Sequence, residues 1–331
     1  MVYSSPTGAS VDIVSFGLRP AESAVVIWYC LLPILMICCS GAYAQVGATF
    51  SMPNSVLLFA HPYRDLEVVA PEKTLVLKPP IKNNVLFGSP SIATTGASVS
   101  WGFFVSSEGG PPGAPHGHYV LGIYSIAEQQ WKSYGDFTEI GATAFSFDSS
   151  KVAFVAEEHD HVQDLFVFDV AAEKMTKVPH SPAIAPTATL GWSPDGNSLV
   201  AELQRNEKNS SIAVINLNTG KVQIVADGND PAWSPSGEWI AYYDPSGKKC
   251  MLVHPDGTNT RVAKDFGRTV FGDRAFSYAV VWSPDSKSLL LNEVKGEEVA
   301  DDVQLLNLQS GAMIRKSKNG APVFGWAYQH K

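Results

Sequence analysis

The sequence predicts an all-β fold, a six-bladed β-propeller, from a repeated hairpin unit, a regular repeat length and half-units at both chain ends. Residues 189–201 form the clearest copy of the unit. An apolar run ends at Trp192, residues 193–196 (Ser-Pro-Asp-Gly) form a tight turn, and a second apolar run starts at Leu199. Proline presets φ at the first inner position of a turn, and glycine accepts the left-handed conformation. The unit is therefore predicted to be a β-hairpin.

The hairpin unit recurs along the chain with an anchor residue before each turn. Further copies lie at residues 231–241 and 281–290, a decayed copy at 144–154 and a faint one at 91–99. The anchors are Ile92, Phe145, Trp192, Trp233, Trp282 and Trp326. Successive anchors lie 53, 47, 41, 49 and 44 residues apart. A period in the forties with several short strands per unit is typical of propeller blades.

The anchors are followed by short apolar runs that we predict to be the strands of each blade. The runs are rich in β-branched and aromatic residues and are bounded by Gly, Pro, Asn and Asp, as strands usually are. Five of the six blades are predicted from consecutive residues, at 92–132, 145–178, 192–225, 233–263 and 282–314. No helical periodicity of useful length appears in this part of the chain.

The sixth blade is predicted to combine both ends of the chain. Apolar runs at residues 56–60, 66–69 and 75–77 have no anchor before them, and Trp326 has no runs after it. We expect the strand around Trp326 to lie beside residues 56–60 and to close the ring. Closure would leave the sheets without long exposed edges.

Residues 1–44 are predicted to be a signal peptide ahead of a propeller at residues 45–331. Residues 24–39 carry no charge, and Ala42-Tyr43-Ala44 follows as a cleavage site that would leave Gln45 first. The run of 16 residues is shorter than the about 20 that usually span a bilayer. The alternative is an uncleaved N-terminal membrane anchor.

The net charge and the cysteine content limit the class of binding partner and the cellular compartment. The formal net charge is −8, and Lys and Arg form no local run, which argues against a nucleic-acid partner. Three of the four cysteines lie in the N-terminal segment, so Cys250 alone remains after cleavage. It falls in a predicted strand, where a buried structural thiol is expected. We therefore expect a periplasmic or secreted protein.

The turn and the strands after it show a recurring order. A Ser-Pro-Asp-Gly turn follows an aromatic residue, and a later strand ends in residues 216–220 (Asn-Leu-Asn-Thr-Gly). This order resembles the TolB-type, WD-like propeller repeat. Residues 243–261 also resemble the second half of that repeat. The resemblance covers residues 140–328 well and residues 54–140 weakly, and it implies a bacterial periplasmic protein that binds other proteins. The same fold carries scaffolds and enzymes alike, so function has to be argued from a site.

Strands of a blade alternate in direction, which divides the connections between two faces. The loop face carries the loops between second and third strands and the connections between blades; the turn face carries the Ser-Pro-Asp-Gly turns. Five histidines are predicted on the loop face: His61, His116, His118, His159 and His161. With Glu157, Glu158 or Asp160 they would suit zinc or a similar divalent ion. The alternative is that they are solvated loop residues.

The connection between blades four and five, residues 265–278, is long and is also predicted on the loop face. It combines arginines with aromatic residues, a composition enriched at hot spots of protein interfaces. The candidate partner-binding residues are Arg268, Phe271, Arg274, Phe276 and Tyr278. The alternative is that the aromatic side chains pack this loop onto the blades.

The sequence contains no Gly-x-Ser-x-Gly, His-Glu-x-x-His or phosphate-loop motif. The regular spacing of the tryptophan anchors favours packing between blades, and the turn aspartates are expected to stabilise their turns. We therefore expect a protein-binding scaffold without a cofactor. The alternative is a metal-dependent hydrolase or isomerase that acts at the central opening of the ring.

Overall fold

Six four-stranded antiparallel sheets make up the fold. The computed structural model describes residues 55–60, 66–78, 86–106, 117–158, 162–179, 184, 189–206, 209–268, 270, 280–293, 302–315 and 322–328. All of these residues belong to the unit Val46–Lys331, and their regular secondary structure is entirely strand. Within the described ranges no helix has the length and hydrophobicity that crossing a bilayer requires. The predicted all-β class is confirmed.

The described residues form 24 strands. The first twelve are β1 Ser55–Ala60, β2 Leu66–Val69, β3 Thr74–Leu77, β4 Leu86–Ile92, β5 Ser98–Ser106, β6 Gly117–Ser125, β7 Gln130–Phe137, β8 Glu139–Phe145, β9 Lys151–Glu157, β10 Gln163–Asp169, β11 Lys174–Lys177 and β12 Leu190–Trp192. The others are β13 Ser198–Asn206, β14 Asn209–Asn216, β15 Val222–Asp227, β16 Asn229–Trp233, β17 Ile240–Tyr243, β18 Lys249–Val253, β19 Arg261–Asp265, β20 Val281–Trp282, β21 Ser288–Glu293, β22 Asp302–Asn307, β23 Met313–Arg315 and β24 Val323–Tyr328.

Five blades each consist of four consecutive strands, as the repeat predicts. Blades one to five are β4–β7, β8–β11, β12–β15, β16–β19 and β20–β23. Every anchor of these blades is the last residue of its first strand. The main difference lies in β7, which continues to Phe137 and so extends beyond the predicted end at residue 132. A register shift between Tyr119 and Leu121 and a left-handed Gly135 (φ 83°) accommodate the longer strand.

The sixth blade joins the two ends of the chain, which confirms the predicted closure. Its strand order is β24-β1-β2-β3. Leu57 lies opposite Trp326 in the register, and Val56 lies opposite Ala327. The backbone N–H of Ala60 also donates to Pro322 O at 3.1 Å. The C-terminal strand is thus an integral part of a blade whose other strands come first in the chain.

The turns between first and second strands are held by their own serine and aspartate side chains. In blade three the Ser193 hydroxyl donates to Asp195 Oδ1 at 2.5 Å, and Asn197 N donates to the same oxygen at 3.1 Å. These hydrogen bonds lower the pKa of Asp195. Gly196 has φ 70°, the left-handed conformation that the turn requires. The turn carboxylates therefore have a structural role, as the sequence predicts.

The tryptophan anchors pack between blades, and two of them are hydrogen-bonded to the preceding blade. Trp192 Nε1 donates to Ala144 O at 2.9 Å, and Trp282 Nε1 donates to Ala232 O at 3.0 Å. Trp233 instead donates to Gly237 O of its own turn at 3.2 Å. These three residues are at most 8% exposed, so they belong to the core.

The single cysteine of the propeller strands is buried and inert. Cys250 is a free thiol on β18 with no exposed surface, and it packs in the same core cluster as Tyr243 and Leu252. Burial raises the pKa of the Cys250 thiol to about 12. Because the thiolate is the reactive form, Cys250 behaves as a small core residue, as expected from its strand.

Polar side chains near the ends of second strands connect neighbouring blades. Asn292 on β21 is 1% exposed; its Nδ2 donates to Val323 O and its Oδ1 accepts from Val323 N, both at 2.9 Å. At the same position of blade three, Glu202 Oε2 accepts from Asp230 N at 3.1 Å. The blade-four equivalent, Tyr243, donates its hydroxyl to Asn292 O at 3.3 Å. The Asn292 and Glu202 side chains thus satisfy backbone groups of the next blade's first strand, and Tyr243 bonds to the second strand of blade five.

Candidate functional site

A central cavity of about 400 Å³ runs between the first strands of all six blades. Each blade contributes part of its first strand or the residues just before it: 89–92, 143–145, 189–192, 231–233, 280–282, and Phe324 with Trp326. Four turn residues, Thr94, Phe147, Pro235 and Pro284, also line it. The cavity therefore reaches the turn face of the propeller. We call it the central channel.

The described lining of the central channel contains no ionisable side chain. Its 23 residues are apolar, aromatic, proline, glycine, serine or threonine. General acid–base catalysis needs a titratable group, and zinc sites use His, Cys or carboxylate ligands. The described part of the channel wall is therefore neutral.

Hydroxyl groups of the channel are mostly used to hold the blades together. Ser91 Oγ accepts from Phe145 N at 2.9 Å, and Thr143 Oγ1 donates to Ser89 O at 3.3 Å. Thr189 Oγ1 donates to Pro231 O at 3.4 Å in the same way. These contacts link blade one to blade two and blade three to blade four. The hydroxyls therefore contribute to rigidity of the channel wall.

Trp326, one of the residues that line the channel, has a buried hydrogen-bond donor without a described partner. Its indole nitrogen is buried and has no acceptor among the described residues, unlike those of Trp192 and Trp282. Buried N–H groups are almost always paired in proteins.

Only one of the predicted metal-ligating histidines lies in the described residues. His118 is half-buried on β6, opposite Val105 of β5. His61, His116, His159 and His161 lie outside the described residues. No group of three or more His, Cys, Asp or Glu side chains suited to a metal ion occurs in the part of the chain that the structure describes. The metal site stays a prediction.

The structure describes only the first part of the candidate partner-binding segment, residues 265–268 and 270. Arg268 is exposed just after β19, where Phe266 N donates to Lys248 O at 2.9 Å. Val270 N donates to Gly247 O at 2.9 Å, which holds the segment against the loop between β17 and β18. Phe271, Arg274, Phe276 and Tyr278 lie outside the described residues. Docking on this segment likewise stays a prediction.

The loop face of blade two carries a carboxylate pair that the sequence analysis did not identify. Glu139 at the start of β8 lies opposite Glu157 at the end of β9. Burial and the charge of Glu157 raise the pKa of Glu139, while a hydrogen bond from Gln163 Nε2 at 3.2 Å opposes the rise. Burial and the Glu139 charge together raise the pKa of Tyr119 to about 12, so this phenol stays neutral at physiological pH.

The substitution Glu139→Gln is expected to stabilise the protein at neutral pH. Because folding raises the pKa of Glu139, its ionisation costs stability as the pH rises through the folded value, and this cost is absent below the unfolded value. Removing one of the two repelling carboxylates should therefore raise the free energy of unfolding by on the order of 1 kcal/mol at pH 7 and leave it unchanged near pH 3. Urea unfolding at the two pH values measures the difference.

The matched control for Glu139→Gln is Glu238→Gln, at an exposed position of a turn. Its urea midpoint should equal that of the unmodified protein at both pH values. A Glu139→Gln protein that is less stable at pH 7 than its parent would show that the ionised carboxylate contributes favourable contacts instead.

No family model matches the sequence, and no curated protein matches it. Solved structures share the fold. TolB from Acinetobacter baumannii superposes with a TM-score of 0.62 at 13% identity, over 82% of this chain and 66% of that one. A structure from a nidogen/laminin complex superposes with a TM-score of 0.58 at 13% identity, over 82% of this chain and 97% of that one. An oligogalacturonate lyase in complex with manganese superposes with a TM-score of 0.52 at 14% identity, over 73% of this chain and 72% of that one. The chain spans just under two thirds of the A. baumannii protein, and the architecture is that of a TolB-type propeller.

Proposed function

We propose that this TolB-type six-bladed propeller is a periplasmic or secreted scaffold that binds a protein partner. The observation that carries the proposal is the neutral lining of the central channel, where all 23 described residues lack a titratable group. Such a channel supports binding, while proton transfer and metal catalysis need groups that this lining does not contain. Secretion is supported by the uncharged run at residues 24–39 and the cleavage site after it.

Two of the solved structures with this fold agree with a binding role. One is a TolB protein, and another comes from a nidogen/laminin complex. The identities of 13% limit the comparison to the fold, so the role itself is our proposal. Rigid propellers suit this role because their loops and turns are presented on two preorganised faces.

We place the docking site on the loop face, at the connection between blades four and five. Arg268 is exposed there, and the hydrogen bonds of Phe266 and Val270 to the neighbouring loop fix the direction of the segment. The sequence adds Phe271, Arg274, Phe276 and Tyr278 to the same connection. Arginine and aromatic side chains dominate the energetics of many protein interfaces.

Arg268→Glu and Phe271→Ala are expected to weaken partner binding by about tenfold or more each, while folding stays intact. The immobilised protein would capture its partner from periplasmic extract, and the purified partner would then be titrated against each variant by calorimetry. Lys73→Glu, an exposed change between β2 and β3 on the turn face, serves as the matched control. Equal affinities for all variants would rule out this docking site, and failure to capture any partner would count against the scaffold.

A second candidate function is metal-dependent chemistry on the loop face. The observation that favours it is the likeness to an oligogalacturonate lyase in complex with manganese, together with the five predicted histidines. Calorimetric titration with Zn²⁺ and Mn²⁺, with His118→Ala as the variant, tests this candidate. Micromolar binding that weakens in the variant would support it, and binding no tighter than about millimolar would remove it.

A further inference from the structure

One hairpin of the loop face carries an N-glycosylation motif. The pattern Asn-x-Ser/Thr, in which x is not proline, marks an asparagine that accepts an N-linked oligosaccharide in exported proteins. Asn209-Ser210-Ser211 is the single match to this pattern among the 13 asparagines of the sequence. Glu207 lies two residues before Asn209, so residues 207–211 also match the longer bacterial acceptor pattern, Asp/Glu-x-Asn-x-Ser/Thr. The longer pattern applies here because the TolB-type resemblance implies a bacterial exported protein.

The motif lies at the end of a long hairpin of blade three. β13 and β14 pair along the hairpin up to Asn206, which lies opposite Asn209. The hairpin joins the second and third strands of its blade, so its tip belongs to the loop face. Asn209 is exposed, whereas Ser210 is 7% exposed and Ser211 is fully buried. An oligosaccharide on Asn209 would therefore extend into solvent without displacing the core of the blade.

The folded strand withholds the serine of the motif. Ser211 Oγ donates to Asp227 Oδ1 at 3.0 Å, and the two residues lie opposite each other in the register of β14 and β15. Arg205 Nη1 lies 3.4 Å from the same carboxylate oxygen. A transferase has to reach both the asparagine amide and the serine hydroxyl of its acceptor. The motif is therefore complete for a transferase only while β14 and β15 are unpaired.

We propose that Asn209 accepts an N-linked glycan during export, before blade three folds. The co-reactant is an oligosaccharide joined to a lipid carrier through pyrophosphate. Asn209 Nδ2 forms a bond to the anomeric carbon of the first sugar and releases one proton. The bond from this carbon to a pyrophosphate oxygen breaks, and the lipid pyrophosphate leaves with its electron pair. The inference goes beyond the proposed scaffold function and rests only on the export that this function includes.

The test is co-expression of the full chain with a bacterial oligosaccharyltransferase and its lipid-linked oligosaccharide, followed by mass spectrometry of the exported protein. We expect the added mass of one glycan, which peptide mapping places on Asn209. Asn209→Gln and Ser211→Ala should each abolish the addition, and Ser211→Thr should keep it because threonine preserves the motif. Glu207→Gln should abolish it with the bacterial transferase. Asn209→Gln changes an exposed side chain, so its urea midpoint should equal that of the unglycosylated parent.

The matched control is Asn218→Gln, the same exchange at an exposed turn asparagine of blade three that lies outside the motif. It should carry the glycan to the same extent as the parent. An exported parent without added mass, or an added mass that persists in Asn209→Gln, would overturn the proposal.

The order of glycan transfer and folding is tested with purified transferase and lipid-linked oligosaccharide. A peptide of residues 203–213 should be modified, while the folded protein, purified without a glycan, should not be modified over the same time. A folded protein that is modified as fast as the peptide would show that the pairing of Ser211 with Asp227 does not protect the motif, and would overturn transfer before folding.

Export and the acceptor site can fail separately. A second chain, the full sequence preceded by a proven export signal, is expressed beside the first. A glycan on Asn209 in the second chain alone would support the acceptor site and count against export by residues 1–44. An exported second chain without a glycan would overturn the acceptor site, whatever the location of the first chain.

Discussion

Removal of the last ten residues, 322–331, is expected to abolish cooperative folding of the whole propeller. These residues include β24, which supplies the first strand of the closing blade. Val323 and Ala327 have no exposed surface, and their loss would uncover Leu57 and Leu58 of β1. The lost burial and hydrogen bonds should exceed the roughly 5–15 kcal/mol that stabilises a typical domain. Near-ultraviolet circular dichroism and urea unfolding measure the effect.

The matched control is a chain that ends at Tyr328, since it keeps every residue of β24. It should unfold at the same urea concentration as the full chain. A synthetic peptide of residues 319–331 should in turn restore structure to the truncated protein, because strand addition depends on the same pairing. A truncated chain with an unchanged urea midpoint would show that ring closure does not hold the propeller together.

Asn292→Leu is expected to have the second largest effect, a destabilisation of about 2–5 kcal/mol. Leucine has a similar size, so the change removes hydrogen bonds without creating a large cavity. Val323 N and Val323 O would then be buried without their partners at 2.9 Å. An unpaired buried backbone group costs about 1–3 kcal/mol. Urea titration should show a lower midpoint with an unchanged m-value.

The matched control for this prediction is Asn218→Leu, at an exposed turn position of blade three. Its urea midpoint should stay within about 0.5 kcal/mol of that of the unmodified protein, as for most surface changes. Asn292→Leu with the same small effect would mean that water or a local shift satisfies Val323, and that blades five and six are held mainly by apolar packing.

Much of the fold follows from local patterns that are visible in the sequence. The Ser-Pro-Asp-Gly turn of blade three predicts a hairpin because each residue has its own role, which the structure shows at Ser193, Asp195 and Gly196. In blade five Ser286 takes the left-handed position instead (φ 60°). The spacing of the other residues still identifies that copy as a turn, although glycine is absent.

The site was harder to predict because its features depend on contacts between blades. Asn292 stands at the end of an apolar run, Leu289-Leu290-Leu291, and this misplaced polar residue was the only sequence signal for the link to Val323. The Glu139 and Glu157 pair had no signal, since the two residues lie on different strands. His118 lies on strand β6 instead of in a loop, and the described residues give it no ligand cluster.

The sequence by itself determined the number of blades, the turn chemistry and the closure by both chain ends, because these depend on short-range residue order and on a repeat length. Only the tertiary structure decided how the blades are joined and what lines the channel. Those properties depend on distances between residues far apart in sequence, such as Asn292 and Val323 at a separation of 31. The neutral channel exists only once the six sheets surround a common axis.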